Sequence, residues 1–314
     1  MVKTGKKILT EDEIIAKWDK KLGCMVSIVC ITFNHERFID SAISSFLEQE
    51  TIYPFEIIIH DDASTDNTAN IIKNYLDKYP NIIKVILQTE NQYSKGNKAS
   101  DLCFRMAEGK YIATCEGDDF WCDSTKLNKQ VGFLEANPDY VISCHNAFII
   151  DENNNETSPS KLTSEQMRDY NAEELIKTDA FLLTLSWVFR NIIDSNIPEK
   201  RNVVNGDTFM ISLLGLYGKS KYHSDIKPAA YRVHSNGIWS SLNEVKKLTT
   251  LINTWYWLQV YHARIASGWD EHFLLLHSKS TLKRLFVCKS KTSLLTLMFG
   301  FFFKKMYKKL KIKN

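Results

Sequence analysis

The chain has 314 residues, 44% apolar and 25% charged, the ordinary balance of a globular protein with one large domain or one domain and an appendage. Its net charge of +3 hides an asymmetry: residues 272–314 carry eleven Lys or Arg and no acid, so the remainder is −8. Seven cysteines, an odd number with no C-x-x-C pair, argue against a disulfide framework and a zinc site and for reduced thiols in a cytoplasmic protein.

Met1 to Lys20 is charged and lacks the apolar stretch of a signal peptide, and no run of 18 apolar residues is long enough to span a bilayer. Thr10-x-x-Glu13 before Ile14 and Ile15 is a capping box that opens a short helix. Met25 to Ile31 is a continuous apolar strand. Glu36 to Glu50 has helical spacing, with Phe38, Ile39, Ala42, Ile43, Phe46 and Leu47 on one side. A strand over Phe55–Ile59, a helix over Asn67–Tyr79 ended by Pro80, and a strand over Ile82–Leu87 follow. A helix over Ala99–Glu108 stops at Gly109, and Tyr111–Cys115 is the next strand. Lys126–Asn137 reads as a helix before Pro138, Tyr140–Ile150 as one strand, and the polar residues 151–171 as a loop. From Leu242 onward the pattern is helical and rich in Trp, Tyr and Leu.

Strands alternating with helices of this length predict βαβ units and a mostly parallel sheet, an α/β fold with helices on both faces. The strand at Tyr111–Cys115 runs into Glu116, Asp118 and Asp119, three carboxylates within four residues. Ligands bind at such strand ends. Acids packed there repel unless a cation sits among them, and hard oxygen donors suit Mg²⁺ or Mn²⁺ and hence a diphosphate. A solvated acidic turn is the bland alternative. A dinucleotide-binding dehydrogenase is excluded, because the turn after the first strand, Thr32-Phe33-Asn34-His35-Glu36-Arg37, holds no glycine.

Five motifs, in order, resemble a family 2 glycosyltransferase of the GT-A fold, of the kind that builds bacterial surface polysaccharides. They are Val26–Asn34, a strand entering a Thr-aromatic-Asn turn; Ile59–Thr68, similar to a DDxSxD loop; Ala107–Trp121, similar to a DXD region; Asn205–Phe209, similar to an ED-type catalytic motif; and Tyr231–Gly237, similar to a closing YRxH segment. The resemblance covers about residues 24–240. It implies an N-terminal helical extension over 1–23, a GT-A domain over 24–240 and a C-terminal helical region over 241–314. It also implies an inverting, metal-dependent hexosyl- or N-acetylhexosaminyl-transferase, with a nucleotide-sugar donor (a UDP-sugar first) and a glycan or lipid-linked acceptor.

The resemblance also assigns roles. Asp62 accepts a hydrogen bond from the base, Phe33 stacks on it, and Thr32, Asn34 and Glu36 complete the donor pocket. Asp118 and His234 hold Mn²⁺ or Mg²⁺. Glu116, in place of the usual first Asp, reaches the ribose or a metal-bound water, and Asp119 holds the sugar or orients Asp118. Arg232 and Lys95, with Lys98, touch the diphosphate. Asp207 is the general base, although Gly206 stands where the family usually has Glu. Each residue also has a plainer reading: capping turns for Asp62 and Asp207, a core aromatic for Phe33, a structural His234, a surface ion pair for Arg232, solvated charges for Lys95 and Lys98. A GT-A domain that binds nucleotide sugar or glycan without transfer is the alternative function. Leu294–Phe303 followed by six lysines up to Lys313 reads as an interfacial anchor on an anionic membrane, or as a buried terminal helix. No nucleic-acid motif accompanies the charge.

Overall fold

A computed structural model describes residues 9–194, 196–234 and 242–287. They fall into two compact units, one running to Arg201 and resuming over Asp207–Gly237, the other made of Asn202–Gly206 and the chain from Ile238.

In the first unit the strands β1 (Val26–Thr32), β2 (Phe55–Asp61), β3 (Ile83–Leu87) and β4 (Tyr111–Thr114) form the parallel half of a seven-stranded sheet in the order β3-β2-β1-β4. Strand β8 (Val188–Arg190) pairs antiparallel with β4 and with β5 (Tyr140–Cys144), and β9 (Lys219–Tyr222) continues parallel to β5. Side chains on successive strand residues point to opposite faces. Ile28, Cys30, Ile57 and Ile59 join one core with Ile43 and Phe46 of α2 (Ile39–Leu47), Ile72 of α3 (Thr68–Lys78) and Val131 of α5 (Lys126–Ala136). Val29 and Ile58 join a second core with Cys103 of α4 (Ala99–Met106), Leu175 of α6 (Ala172–Ile176) and Leu214 of α7 (Gly206–Gly215). The unbroken apolar strands of the sequence are therefore a sheet covered on both faces. Gly109 is required where α4 returns to β4, since a Cβ there would lie 2.4 Å from the backbone nitrogen of Ser27.

Two expectations change. The apolar run Tyr140–Ile150 is two strands: β5 belongs to the large sheet, whereas β6 (Ala147–Ile150) pairs with β7 (Glu156–Ser158) and β10 (Ala229–Arg232) in a small second sheet. The switch is at Asn146, whose Oδ1 accepts from the N–H groups of Ala147 and Leu162 while its Nδ2 donates to Ser160 Oγ. Residues 151–171 thus contribute a strand as well as loop. The helix expected from Glu36 begins only at Ile39, because residues 34–36 are bonded instead to the Ser64–Thr68 turn.

The capping box at Thr10 and Glu13 is present on α1 (Glu11–Ile15). In the second unit α8 (Glu244–Arg264) and α9 (Asp270–Val287) pack on each other through Trp255, Leu258 and Phe273, with Phe273 stacked on His262 at 5.0 Å. No described helix is long and apolar enough to cross a membrane. The 294–313 segment and Ser235, Asn236 and Gly237 of the closing motif lie outside the described residues.

Candidate active site

The C-terminal ends of β1, β2 and β4 carry the motif residues side by side. Past β1, Thr32 is buried while Phe33 is 42% exposed, which removes the core reading and leaves its ring available to a planar ligand. Asn34 takes a left-handed φ of 54° and is pinned from both sides: its N–H donates to Ser64 Oγ at 2.8 Å, and its Oδ1 accepts from Thr65 N at 2.8 Å. Asn tolerates that backbone region better than most residues. Glu36 serves this scaffold rather than a pocket, since its Oε2 accepts from Asn67 N at the start of α3 and its N–H donates to Asp66.

Asp61 and Asp62, both buried, divide their work. Asp61 accepts from the Ser64 hydroxyl and N–H, and burial raises its pKa against those bonds. Asp62 accepts from the N–H groups of Gln92 at 2.7 Å and Tyr93 at 3.0 Å, so it ties the loop after β3 to the strand ends instead of capping a helix. Lys95 sits in that loop, exposed and paired with Glu90.

The acidic cluster after β4 is clamped by the segment that follows β10. Phe120 and Ala230 exchange backbone hydrogen bonds. Arg232 N–H donates to Asp119 Oδ1 at 2.7 Å, Arg232 Nε to the Asp118 carbonyl at 2.8 Å, and an Nη to the Asp151 carbonyl at 3.0 Å. Arg232 is 4% exposed, with its guanidinium 4.4 Å from the Phe38 ring centroid. It is a buried brace rather than a surface ion pair. The clamp carries His234 to Asp118, with Nε2 to Oδ2 at 3.0 Å across 116 residues of sequence. Gly117 lets the turn fold back on β1, for a Cβ there would lie 2.7 Å from Thr32 Oγ1.

A third group completes this corner. His35 lies edge-on to His234, ring centroids 5.9 Å apart, and one ligand atom each from His35, Asp118 and His234 lie within 4.8 Å of one another. Among the described residues His35 Nδ1 is buried with no hydrogen-bond partner, and burial lowers its pKa, which favours the neutral imidazole. Two imidazoles beside a carboxylate suit a divalent transition ion. Asp118 stays below its usual range despite burial, because His234 donates to it and His35 lies close. Burial, then the charges of Asp207 and Asp118, push Glu116 up to about 8, and burial with the charges of Asp118 and Glu116 raises Asp119 well above its ordinary value. Such crowding is what a cation would relieve.

Asp207 lies in the first turn of α7, where Oδ2 accepts from Thr184 Oγ1 at 3.2 Å. The carboxylate reaches solvent yet sits deep enough among protein atoms for desolvation to raise its pKa, with Lys98 opposing. Its charge contributes to the rise at Glu116. Sequence reasoning missed His35, whose only signal was its place directly after the Thr-Phe-Asn turn. Lys98, expected at the diphosphate, has Asp101, Lys200 and Asp207 as its titratable neighbours.

The sequence profile described as Glycosyl transferase family 2 matches residues 27–196. The uncharacterized protein Rv1520 of Mycobacterium tuberculosis is 36% identical over 217 residues, 69% of this chain and 61% of that relative, so the match spans about three-fifths of the relative's length. The Escherichia coli protein named UDP-Glc:alpha-D-GlcNAc-diphosphoundecaprenol beta-1,3-glucosyltransferase WfaP is 37% identical over 113 residues, 36% of this chain and 42% of that one. Among solved structures, S. aureus TarS 1-349 in complex with UDP superposes with a TM-score of 0.58 at 16% identity, over 86% of this chain and 76% of that one. The mannosyltransferase PcManGT from Pyrobaculum calidifontis, in complex with GDP-Man and Mn²⁺, gives 0.52 at 14%, over 88% and 79%. At these identities the structural likeness is one of fold.

Proposed function

Since the chain belongs to glycosyl transferase family 2, we propose that it transfers a sugar from a nucleotide donor, UDP-linked in the first instance, to a hydroxyl of a glycan or lipid-linked acceptor with inversion at the anomeric carbon. The observation that carries this reading is the convergence of His35, Asp118 and His234 at the strand ends. Phe33 receives the base on its open face, and Asp62 accepts from the base or holds the loop that covers it. Asp207 removes the acceptor's proton as the hydroxyl attacks from the face opposite the leaving diphosphate. His35, Asp118 and His234 would hold a divalent ion, which would supply positive charge to that diphosphate. A relative named as a UDP-Glc glucosyltransferase, and fold neighbours solved in complex with UDP or with GDP-Man and Mn²⁺, support a nucleotide-sugar donor and a metal. A screen of UDP-, GDP- and dTDP-sugars for Mn²⁺-dependent thermal stabilisation tests it, with UDP compounds expected to raise Tm and EDTA to abolish the rise.

His35 distinguishes this site from one built on carboxylates alone. Nitrogen ligands favour Mn²⁺ or Co²⁺ over Mg²⁺. His35→Gln is expected to weaken Mn²⁺ binding by about 10–100-fold, the loss typical of a disturbed metal shell. Electron paramagnetic resonance of the Mn²⁺ protein reads this directly. Nitrogen couplings from two imidazoles in the wild type and one in the variant are the expected result, and unchanged spectra would remove His35 from the site.

On sequence alone, we place residues 294–313 on an anionic membrane surface, each lysine near that surface contributing on the order of 1 kcal/mol. Deleting residues 292–314 should leave a folded protein that no longer sediments with anionic vesicles at low salt. Full-length protein indifferent to those vesicles would rule the anchor out.

A further inference from the structure

The segment Leu183–Trp187, with a 3-10 turn over Thr184–Ser186, is held by the backbone carbonyl of every one of its residues. Leu183 O accepts from Ser186 N at 2.9 Å and from the Ser186 hydroxyl at 2.7 Å. Thr184 O accepts from the Thr114 hydroxyl at 2.6 Å. Leu185 O accepts from Trp121 Nε1 at 2.7 Å, and Ser186 O from Gln130 Nε2 at 3.0 Å. Trp187 O accepts from Thr114 N at 3.3 Å. Leu183, Leu185, Ser186 and Trp187 are buried, and within the segment only Thr184 keeps a partly exposed side chain. Its hydroxyl leaves the turn and donates to Asp207 Oδ2 at 3.2 Å.

The donors that hold this turn come from both flanks of the acidic segment. Thr114 ends β4, two residues before Glu116 and four before Asp118, and Trp121 lies three after Asp118. The turn that reaches Asp207 is therefore bonded to the same stretch of chain that carries Asp118. A carboxylate turns about its side-chain torsions, and a fixed donor on one oxygen sets where the other points. We propose that Thr184 is a positioning residue for the base: its hydroxyl holds Oδ2 of Asp207 so that Oδ1 faces the acceptor hydroxyl, at a place fixed relative to Asp118 by the Leu183–Trp187 turn. Thr184 acts only through Asp207. The acceptor's proton passes to Oδ1 as its oxygen bonds the anomeric carbon and the nucleoside diphosphate departs with the electron pair of the bond that breaks. The proposal rests on the transferase reading above, with Asp207 as base. The Thr184 bond also favours the charged carboxylate, drawing the Asp207 pKa down against burial.

Two variants of the full chain test it. Thr184→Val keeps the shape and removes the hydroxyl, and Thr184→Ser keeps the hydroxyl. UDP release at saturating Mn²⁺ is measured with the UDP-sugar that the wild type turns over fastest, water standing in for the acceptor. Thr184→Val should lower kcat by about 10–100-fold, the effect of a misplaced catalytic group, while UDP affinity and donor KM stay within about twofold. Its rate should also climb at higher pH than that of the wild type. The donor that lowers the Asp207 pKa is gone, whereas Lys98, Glu116 and Tyr231, the described titratable groups coupled to that carboxylate, are kept. Thr184→Ser should recover most of the rate and the wild-type pH dependence. Wild-type kcat in Thr184→Val, or an unshifted climb, overturns the proposal. So does a loss that Thr184→Ser fails to recover, or one that UDP affinity shares, since either would make Thr184 part of the scaffold alone. Near-normal turnover in Asp207→Asn removes the base and the proposal with it. A wild type that releases no UDP strikes the transferase reading instead. An NMR titration of the Asp207 carboxyl then still decides the contact: its pKa should rise in Thr184→Val but not in Thr184→Ser, and equal values in all three proteins overturn it.

Discussion

Replacing Asp207 with Asn is expected to lower turnover by about 10²–10⁴-fold, the usual worth of a positioned general base, with UDP affinity nearly unchanged. Asn keeps the shape and can still accept from the Thr184 hydroxyl, so the first turn of α7 is preserved. What disappears is the group able to take a proton. Burial raises the Asp207 pKa, which makes the carboxylate a stronger base than a solvated one, and the nearby Lys98 keeps that rise in check. Only the ionised form accepts the proton, so the rate should climb with pH through this raised value and then level. Stopped turnover at saturating donor, compared with calorimetric UDP affinity, separates kcat from binding. Near-normal turnover in Asp207→Asn would transfer the base role to another group.

Asp118→Asn should abolish metal-dependent UDP binding, a loss of at least about 100-fold in affinity when one of three ligands goes. The side chain accepts from His234 Nε2 and stands beside His35, so its charge holds both imidazoles to the corner as well as any ion. The proton balance gives a second readout. Glu116 has a folded pKa of about 8 against an ordinary 4.5. The metal-free fold therefore holds a proton that the unfolded chain gives up. The stability linked to that proton is fully present below about pH 4.5 and is lost as pH rises through 8. A cation beside the cluster lowers this pKa, so Mn²⁺ should stabilise the wild type more at pH 8 than at pH 6 and release protons as it binds. Equal UDP affinity with Mn²⁺ and with EDTA would contradict the metal site.

The parallel half of the sheet was legible because its strands are apolar on both faces and are punctuated by Pro80, Gly109 and Pro138. Their C-terminal ends then placed Asp62, Glu116 and Asp118 together. The break within Tyr140–Ile150 was hidden, since apolar character runs through it and the switch depends on Asn146 binding residues 160 and 162, a contact with no local signature. Strands β8, β9 and β10 are only three or four residues long, too short for periodicity to declare. Arg232 shows the limit of motif reading. Its position suggests a phosphate contact, and only the fold adds the carbonyls of Asp118 and Asp151 that draw it inward. His35 needed the same three-dimensional information, because its neighbours Asp118 and His234 are distant in sequence.

Donor turnover without acceptor reads metal-dependent transfer from a nucleotide sugar at its simplest. The full chain incubated with Mn²⁺ and a panel of UDP-sugars should slowly release UDP from at least one of them. That release should vanish with EDTA and in Asp118→Asn. No UDP release from any nucleotide sugar, despite Mn²⁺-dependent binding, would contradict the account and make the fold a binding domain without transfer.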